Sequence, residues 1–417
     1  MASSESLCVL LPDGEFWHAL KVVRCLARST HADTNVTIHV CTTPVVPDKL
    51  RRSRHVAGIH PISVKIPEPE RMQAIAEVAR RVGADIVLPM STEGSRLLAR
   101  YDALFDDNIA LAPLSSEETQ RLAGDKGRLT EFMAAHDIPH PPATGLRPLA
   151  TLRDRLDRLP FPVLVKAAIG EGGHHIFRFE RPSEVIAFVE READTARDYV
   201  VQSYVEGADI DFSVLAVNGT VVAHTIQQAL TAERERPYGP PTFIEFLDDP
   251  RVEAVGRRLV AALGLTGLAH IDLRYDADRR TLYVLEINTR VWGSILGSLR
   301  AGINFPQLAC LAALGRPLPP LDYRKITFSV GDLALKRVWR TVEMGVSLRH
   351  TCVSYALDDP APDLVEFAGL KWERIKRLFG RRSSPERAPS EALSGEPHET
   401  EVALKPGGRV GEKAAQE

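Results

Sequence analysis

The chain has 417 residues, 44% hydrophobic and 26% charged, a composition that supports packed cores and excludes a disordered or fibrous chain. Its net charge is −3, so it lacks the global basic field that nucleic acid selects, and no nucleic-acid partner is expected. No window approaches roughly 18 uninterrupted apolar residues, and residues 1–5 lack a basic leader region; the sequence reads as a cytoplasmic protein. Five scattered cysteines (Cys8, Cys25, Cys41, Cys310, Cys352) have no metal-ligand spacing and read as small buried hydrophobes in a reducing compartment.

At roughly 100–200 residues per domain the length predicts two to four folded units. Residues 7–11 are a short apolar run closed by Pro12-Asp13-Gly14, a buried strand entering a turn. A helix is predicted over 17–29, a strand over 36–40, a helix over 71–82 and a strand over 85–89, the last running into Met90-Ser91-Thr92-Glu93-Gly94. This alternation predicts βαβ units and a parallel sheet. The first strand-to-helix turn lacks G-x-G-x-x-G, so no dinucleotide fingerprint is present there. From about residue 115 the texture changes. A capped helix opens at Ser115-Ser116-Glu117-Glu118 and another spans 126–136. Strand-like runs follow at 163–165, 199–202, 211–217, 221–226, 270–275 and 281–287, with a helix at 251–263. Strands now predominate, which predicts an α+β region. Beyond about Arg381 large apolar residues almost vanish, and a disordered tail is expected.

Four segments carry candidate chemistry. In Leu285-Glu286-Ile287-Asn288-Thr289-Arg290, strand alternation puts Glu286, Asn288 and Arg290 on one face and Leu285 with Ile287 on the other. The run His270-Ile271-Asp272-Leu273-Arg274 precedes it across a short turn, so the two form a hairpin on which Asp272, Glu286 and Asn288 converge as hard oxygen ligands suited to Mg²⁺. The rival reading is an antiparallel pair with one solvated face. Lys166 ends the apolar run Val163-Leu164-Val165, and Gly170-Glu171-Gly172-Gly173-His174-His175 follows it. That loop either lays N–H groups over phosphates or is a turn that needs glycine. Gln202-Ser203-Tyr204-Val205-Glu206-Gly207-Ala208-Asp209 fits adenine and ribose, or a plain strand-to-turn transition. Lys126 in Gly124-Asp125-Lys126-Gly127 sits at a helix start, facing phosphate or solvent.

Taken in order, these segments resemble the ATP-grasp superfamily of carboxylate–amine and carboxylate–thiol ligases over roughly residues 110–320. The ending E-I-N-T-R-V-W-G-S is most similar to the carboligase branch related to biotin carboxylase. The resemblance implies an ATP-grasp fold preceded by a Rossmann-like parallel α/β domain. It implies a pre-ATP-grasp domain over 1–112, a lid subdomain over 113–200, a metal-binding subdomain over 201–320, a C-terminal extension over 321–382 and a tail over 383–417. It implies that Lys126 and Lys166 contact ATP phosphates under a loop that includes Gly170, Gly172 and Gly173. Gln202, Tyr204 and Val205 then receive adenine and Asp209 the ribose. Asp272, Glu286 and Asn288 hold one or two Mg²⁺ or Mn²⁺ ions, and Arg290 faces the reacting carboxylate, with Arg290 and Lys166 as the catalytic pair. The implied reaction joins a small carboxylate to an amine through an acyl phosphate, releasing ADP and phosphate. A phosphotransferase and a non-catalytic ATP-binding protein are the alternatives.

One departure from that branch matters. Where biotin carboxylases place a carboxylate four positions beyond the arginine, this chain has Ser294, which argues against bicarbonate chemistry. Glu93 is read either as receiver of an ammonium group or as a helix cap, and Arg274 as steering a substrate carboxylate or pairing with an acid. His174 and His175 are read either as contacting phosphate or substrate or as simply exposed. The basic amphipathic stretch 363–382 fits an anionic membrane surface, a partner, or packing on its own domain. A homodimer is implied by family analogy.

Overall fold

The computed structural model describes residues 6–28, 35–45, 48–170, 176–192, 198–230, 241–330 and 335–365, all within one unit spanning Met1–Gly369. Gly172, Gly173, His174, His175, most of the basic stretch and the tail lie outside the described residues.

Three sheets follow one another along the chain. The first contains β1 (Ser6–Leu11), β2 (Asn35–Thr42), β3 (Val56–Pro61), β4 (Ile86–Val87) and β5 (Ala110–Leu111), in the order β3-β2-β1-β4-β5 with every pairing parallel. β1 is apolar on both faces because both are covered. Leu7, Val9 and Leu11 join the helix Ala19–Leu26 in one core, while Leu10 packs with Met72, Ile75 and Ala79 of the helix Glu68–Val82 in another. β3 and β5 escaped the sequence reading because Gly58, His60 and Pro61 dilute one and only two residues form the other.

The second sheet is antiparallel and contains β6 (Ala143–Gly145), β7 (Val163–Ala167), β8 (Ile176–Phe179) and β9 (Tyr199–Ser203), in the order β6-β9-β7-β8. The third contains β10 (Ala208–Val217), β11 (Thr220–Ala229), β12 (Phe243–Leu247), β13 (Gly267–Asp276), β14 (Thr281–Asn288) and β15 (Thr327–Ser329), in the order β14-β13-β10-β11-β12-β15, also antiparallel throughout. The α+β texture expected after residue 115 is thus what forms.

One face of the third sheet buries Ile210, Phe212, Val214, Ile226, Ala269, Ile271, Leu273, Val284 and Ile287 against the helix Pro250–Leu263. That helix starts with Pro250 behind an Asp249 cap whose carboxylate accepts from Arg251 N–H. It ends at Gly264 in the left-handed conformation. The opposite face carries the polar residues of the site. A β-bulge between Asp272 and Leu273 pairs Asp272 with Glu286 and Leu273 with Val284. The extra residue is Leu285, so the expectation that Leu285 shares the buried face with Ile287 is corrected: Val284 takes that place, and Leu285 is only half-buried.

The helix Val353–Asp358 and the residues after it tie back to the first sheet's region. Ser53 Oγ donates to Asp359, Arg54 pairs with Asp358, and Arg24 pairs with Asp363. Among the described residues no helix is long and apolar enough to cross a membrane. The described cysteines are free, with Cys25, Cys41 and Cys310 fully buried.

Candidate functional site

The site lies where two lysines, Lys166 on the second sheet and Lys126 at the start of a helix, meet the polar face of the third sheet. Lys126 opens the helix Lys126–Ala135, whose cap, Asp125, accepts from the N–H groups of Gly127 and Arg128. That capped start fixes the lysine on a rigid element. Its ammonium donates to the Gly170 carbonyl at 3.0 Å and pairs with Glu286 at 3.3 Å. Lys166, on the fully buried strand β7, donates to Gln202 Oε1 at 2.8 Å. Burial pushes the Lys166 ammonium down to about 8, aided by Lys126 and Arg274 and opposed by Glu286.

Glu286, Asn288 and Arg290 form a linked row on one face. Asn288 Nδ2 donates to Glu286 Oε1 at 3.2 Å, and Arg290 donates to Asn288 Oδ1 at 3.3 Å and to the Val291 carbonyl at 2.9 Å. Asp272 is the register partner of Glu286 across the hairpin. Burial acts to raise both carboxyls, but their surroundings divide them. Lys126 and Lys166 hold Glu286 down at about 2, while the Glu286 and Asp211 carboxylates push Asp272 well above the usual range. A cation bound between oxygen donors of this kind removes their mutual repulsion, and the donor set of two carboxylates and a carboxamide oxygen fits Mg²⁺ or Mn²⁺.

Gln202, Tyr204 and Val205 are also placed together. Gln202, the last residue but one of β9, accepts from Lys166, and Tyr204, just past the strand, has the guanidinium groups of Arg178 and Arg274 over its ring at 4.6 and 5.5 Å. Arg274 donates to the Val205 carbonyl at 3.1 Å and pairs with Asp209, its register partner on β10. Of the two readings of Arg274, pairing with an acid is therefore the one realised. Gly207 is required in this turn: at φ +154°, a Cβ would stand 1.9 Å from the Tyr275 carbonyl oxygen. Glu93 is exposed and pairs with Arg96 at 3.1 Å, and the cap of its helix is Ser91 instead.

Three residues beside this row, Asp211, His270 and Gln227, were given no role in the sequence reading. His270 stands between Asp211 and Asp272, with its Nε2 3.6 and 3.5 Å from their carboxylates, and its ring stacks on Trp292. Gln227 Nε2 donates to Asp211 at 2.8 Å, and Ser294 Oγ donates to Gln227 Oε1 at 2.9 Å. The available signal was the spacing D-x-D at 209 and 211 and H-x-D at 270 and 272, which puts all four on one sheet face. His18 borders the same region, and burial, with Lys21, Arg290 and His270 nearby, pushes it down to about 2, so it stays neutral.

Residues 195–331 match the family described as ATP-grasp in the biosynthetic pathway with Ter operon. The chain is 26% identical over 252 residues to a carbamoyl-phosphate synthase of Methanobrevibacter smithii, covering 57% of this chain and 65% of that protein. The chain thus spans less than two thirds of that relative. Against a carbamoyl phosphate synthase large chain of Thermomicrobium roseum, 26% identical over 212 residues, it covers 49% of this chain and 19% of that one. In fold it is similar to an ADP complex of N5-carboxyaminoimidazole ribonucleotide synthetase, with TM-score 0.60, 12% identity, and coverage of 83% of this chain and 86% of that one.

Proposed function

The chain carries an ATP-grasp domain, and from that premise we propose that it is a ligase that activates a small carboxylate as an acyl phosphate and transfers it to an amine. The observation that carries the reading is the convergence of Lys126 and Lys166 on Glu286, with Asp272 and Asn288 beside it. Two fixed cations facing a set of hard oxygen donors are what a triphosphate needs for phosphoryl transfer. Asp272, Glu286 and Asn288 would hold one or two Mg²⁺ or Mn²⁺ ions, which would further neutralise the phosphate oxygens.

The residues of the chain divide the work. Tyr204 and Val205 receive adenine against a hinge that Arg274 braces, and Asp209 reaches the ribose. Lys126 and Lys166 hold phosphate oxygens and orient the transferred group. Arg290, buried and anchored to Asn288 and the Val291 carbonyl, presents positive charge to the substrate carboxylate and then to its acyl phosphate. The choice of an amine over bicarbonate rests on Ser294, whose hydroxyl is committed to Gln227 and offers no base.

The test is incubation with Mg-ATP and pooled amino acids and other small carboxylates, with phosphate release followed and products weighed. Release that needs both an acid and an amine, with a product mass equal to their sum less water, supports the ligase. ADP formed with a phosphorylated but no condensed product overturns it in favour of a phosphotransferase, and phosphate released with no condensed product overturns the transfer to an amine, the acyl phosphate then passing to water.

A further inference from the structure

His270 and its two neighbours have a geometry that hydrogen bonding does not explain. Its Nε2 lies 3.5 Å from Asp272 Oδ1 and 3.6 Å from Asp211 Oδ2, too far for good hydrogen bonds. Adjacent ligands of a tetrahedral ion held at about 2.1 Å are separated by about 3.4 Å, close to the two spacings from His270 to its carboxylates. The three ligand atoms lie within 4.8 Å of one another, on side chains 17%, 13% and 31% exposed for Asp211, His270 and Asp272.

The ligands are also braced. His270 Nδ1 lies 2.9 Å from Ser213 Oγ, and the tautomer that donates there leaves the Nε2 lone pair facing both carboxylates. The Trp292 ring lies 5.4 Å from the imidazole at an interplanar angle of 10°, which fixes its plane. Gln227 holds Asp211 by its Oδ2. Orientation of imidazole and carboxylate ligands by outer partners of this sort is a property of metal sites.

We propose that Asp211, His270 and Asp272 form a divalent-cation site of their own. It is separate from the site at Glu286 and Asn288 and shares only Asp272 with it. The imidazole donor selects a nitrogen-tolerant ion, Mn²⁺ or Zn²⁺, over Mg²⁺. The ion would lie on the β10 and β11 side of Asp272, where Gln227 and Ser294 stand, rather than on the β14 side where Lys126 pairs with Glu286, and so would serve the acceptor rather than the nucleotide. The inference rests on the reading above only in that shared ligand.

The experiment uses the metal-stripped full chain without nucleotide, titrated with Mn²⁺ and followed by electron paramagnetic resonance, with electron spin-echo detection of imidazole nitrogen. A bound Mn²⁺ with nitrogen coupling is expected. His270→Ala should remove the coupling and weaken binding at least about tenfold. The near-isosteric Asp211→Asn should also weaken it, and Glu286→Gln should leave the coupling in place. Mn²⁺ bound without nitrogen coupling, or no Mn²⁺ bound in the absence of nucleotide, overturns the proposal, and the unmodified chain suffices for both readings. ATP turnover with an acid and an amine but no nitrogen-ligated ion removes this site alone. Nitrogen-ligated Mn²⁺ in a chain that condenses no acid with an amine removes the ligase reading alone.

Discussion

Asp13, two residues beyond β1, and Glu286, within β14, are both carboxylates held by strands of the core, and they meet opposite surroundings. Asp13 follows β1 and is 3% exposed. It accepts from the Met90 N–H at 3.1 Å, the Ser91 N–H at 2.7 Å and the Ser91 hydroxyl, and a Cβ on Gly94 would intrude on it at 2.2 Å. Every donor is neutral and the place is closed, so burial pushes its carboxyl up to about 6 despite those bonds. Glu286 faces two lysines and a second carboxylate, and is held at about 2. A carboxylate satisfied by neutral groups joins β1 to β4 and has no chemistry left over. One held ionised by cations beside another carboxylate is arranged for a ligand.

The largest effect should come from the open member of this pair. Glu286→Ala is expected to lower ATP turnover on the order of 10²–10³-fold with circular dichroism and melting unchanged. Retained turnover would erase the distinction between the two carboxylates. Lys166→Ala should weaken Mg-ATP binding about tenfold to a hundredfold by calorimetry, the equivalent of one charge-assisted hydrogen bond; unchanged affinity would leave Lys166 a partner of Gln202 and nothing more.

Asp13 sharpens the other side. Its folded value lies above the unfolded one, so the native state binds more protons and stability falls as pH rises from about 4 to about 6. The contribution is about 3 kcal/mol. Urea melts of the wild type and Asp13→Asn across that window should differ by this declining component, and parallel curves would show Asp13 ionising normally. The smallest effect is expected at Glu93, whose exposed pair with Arg96 is worth less than about 1 kcal/mol. Glu93→Ala should leave both stability and the KM for the amine in place. A large rise in that KM would restore Glu93 as an ammonium receiver.

Much of the site was legible because strand alternation is a local property. E-I-N-T-R places Glu286, Asn288 and Arg290 in a row whatever the rest of the chain does, and the hydrogen bonds between them follow. Lys166 at the end of an apolar run and Lys126 behind an Asp125 cap were legible for the same reason. The bulge at Leu285 was not, because a bulge is a mismatch between two strands and neither strand alone encodes it. Nor was Asp13, whose partners are 77 and 78 residues away.

By itself, then, the sequence determined the parallel sheet ahead of a strand-rich α+β region, the hairpin at 270–288 and the residues along its polar edge, since these depend on side-chain period and on turns within a few positions. Only the tertiary structure decided that Arg274 braces Asp209 and Val205, that Lys126 reaches Glu286, and that His270 stands between Asp211 and Asp272. Those contacts join β10 to β13 and the lysine-bearing elements to the hairpin, and their distances are set by sheet register and packing rather than by spacing along the chain.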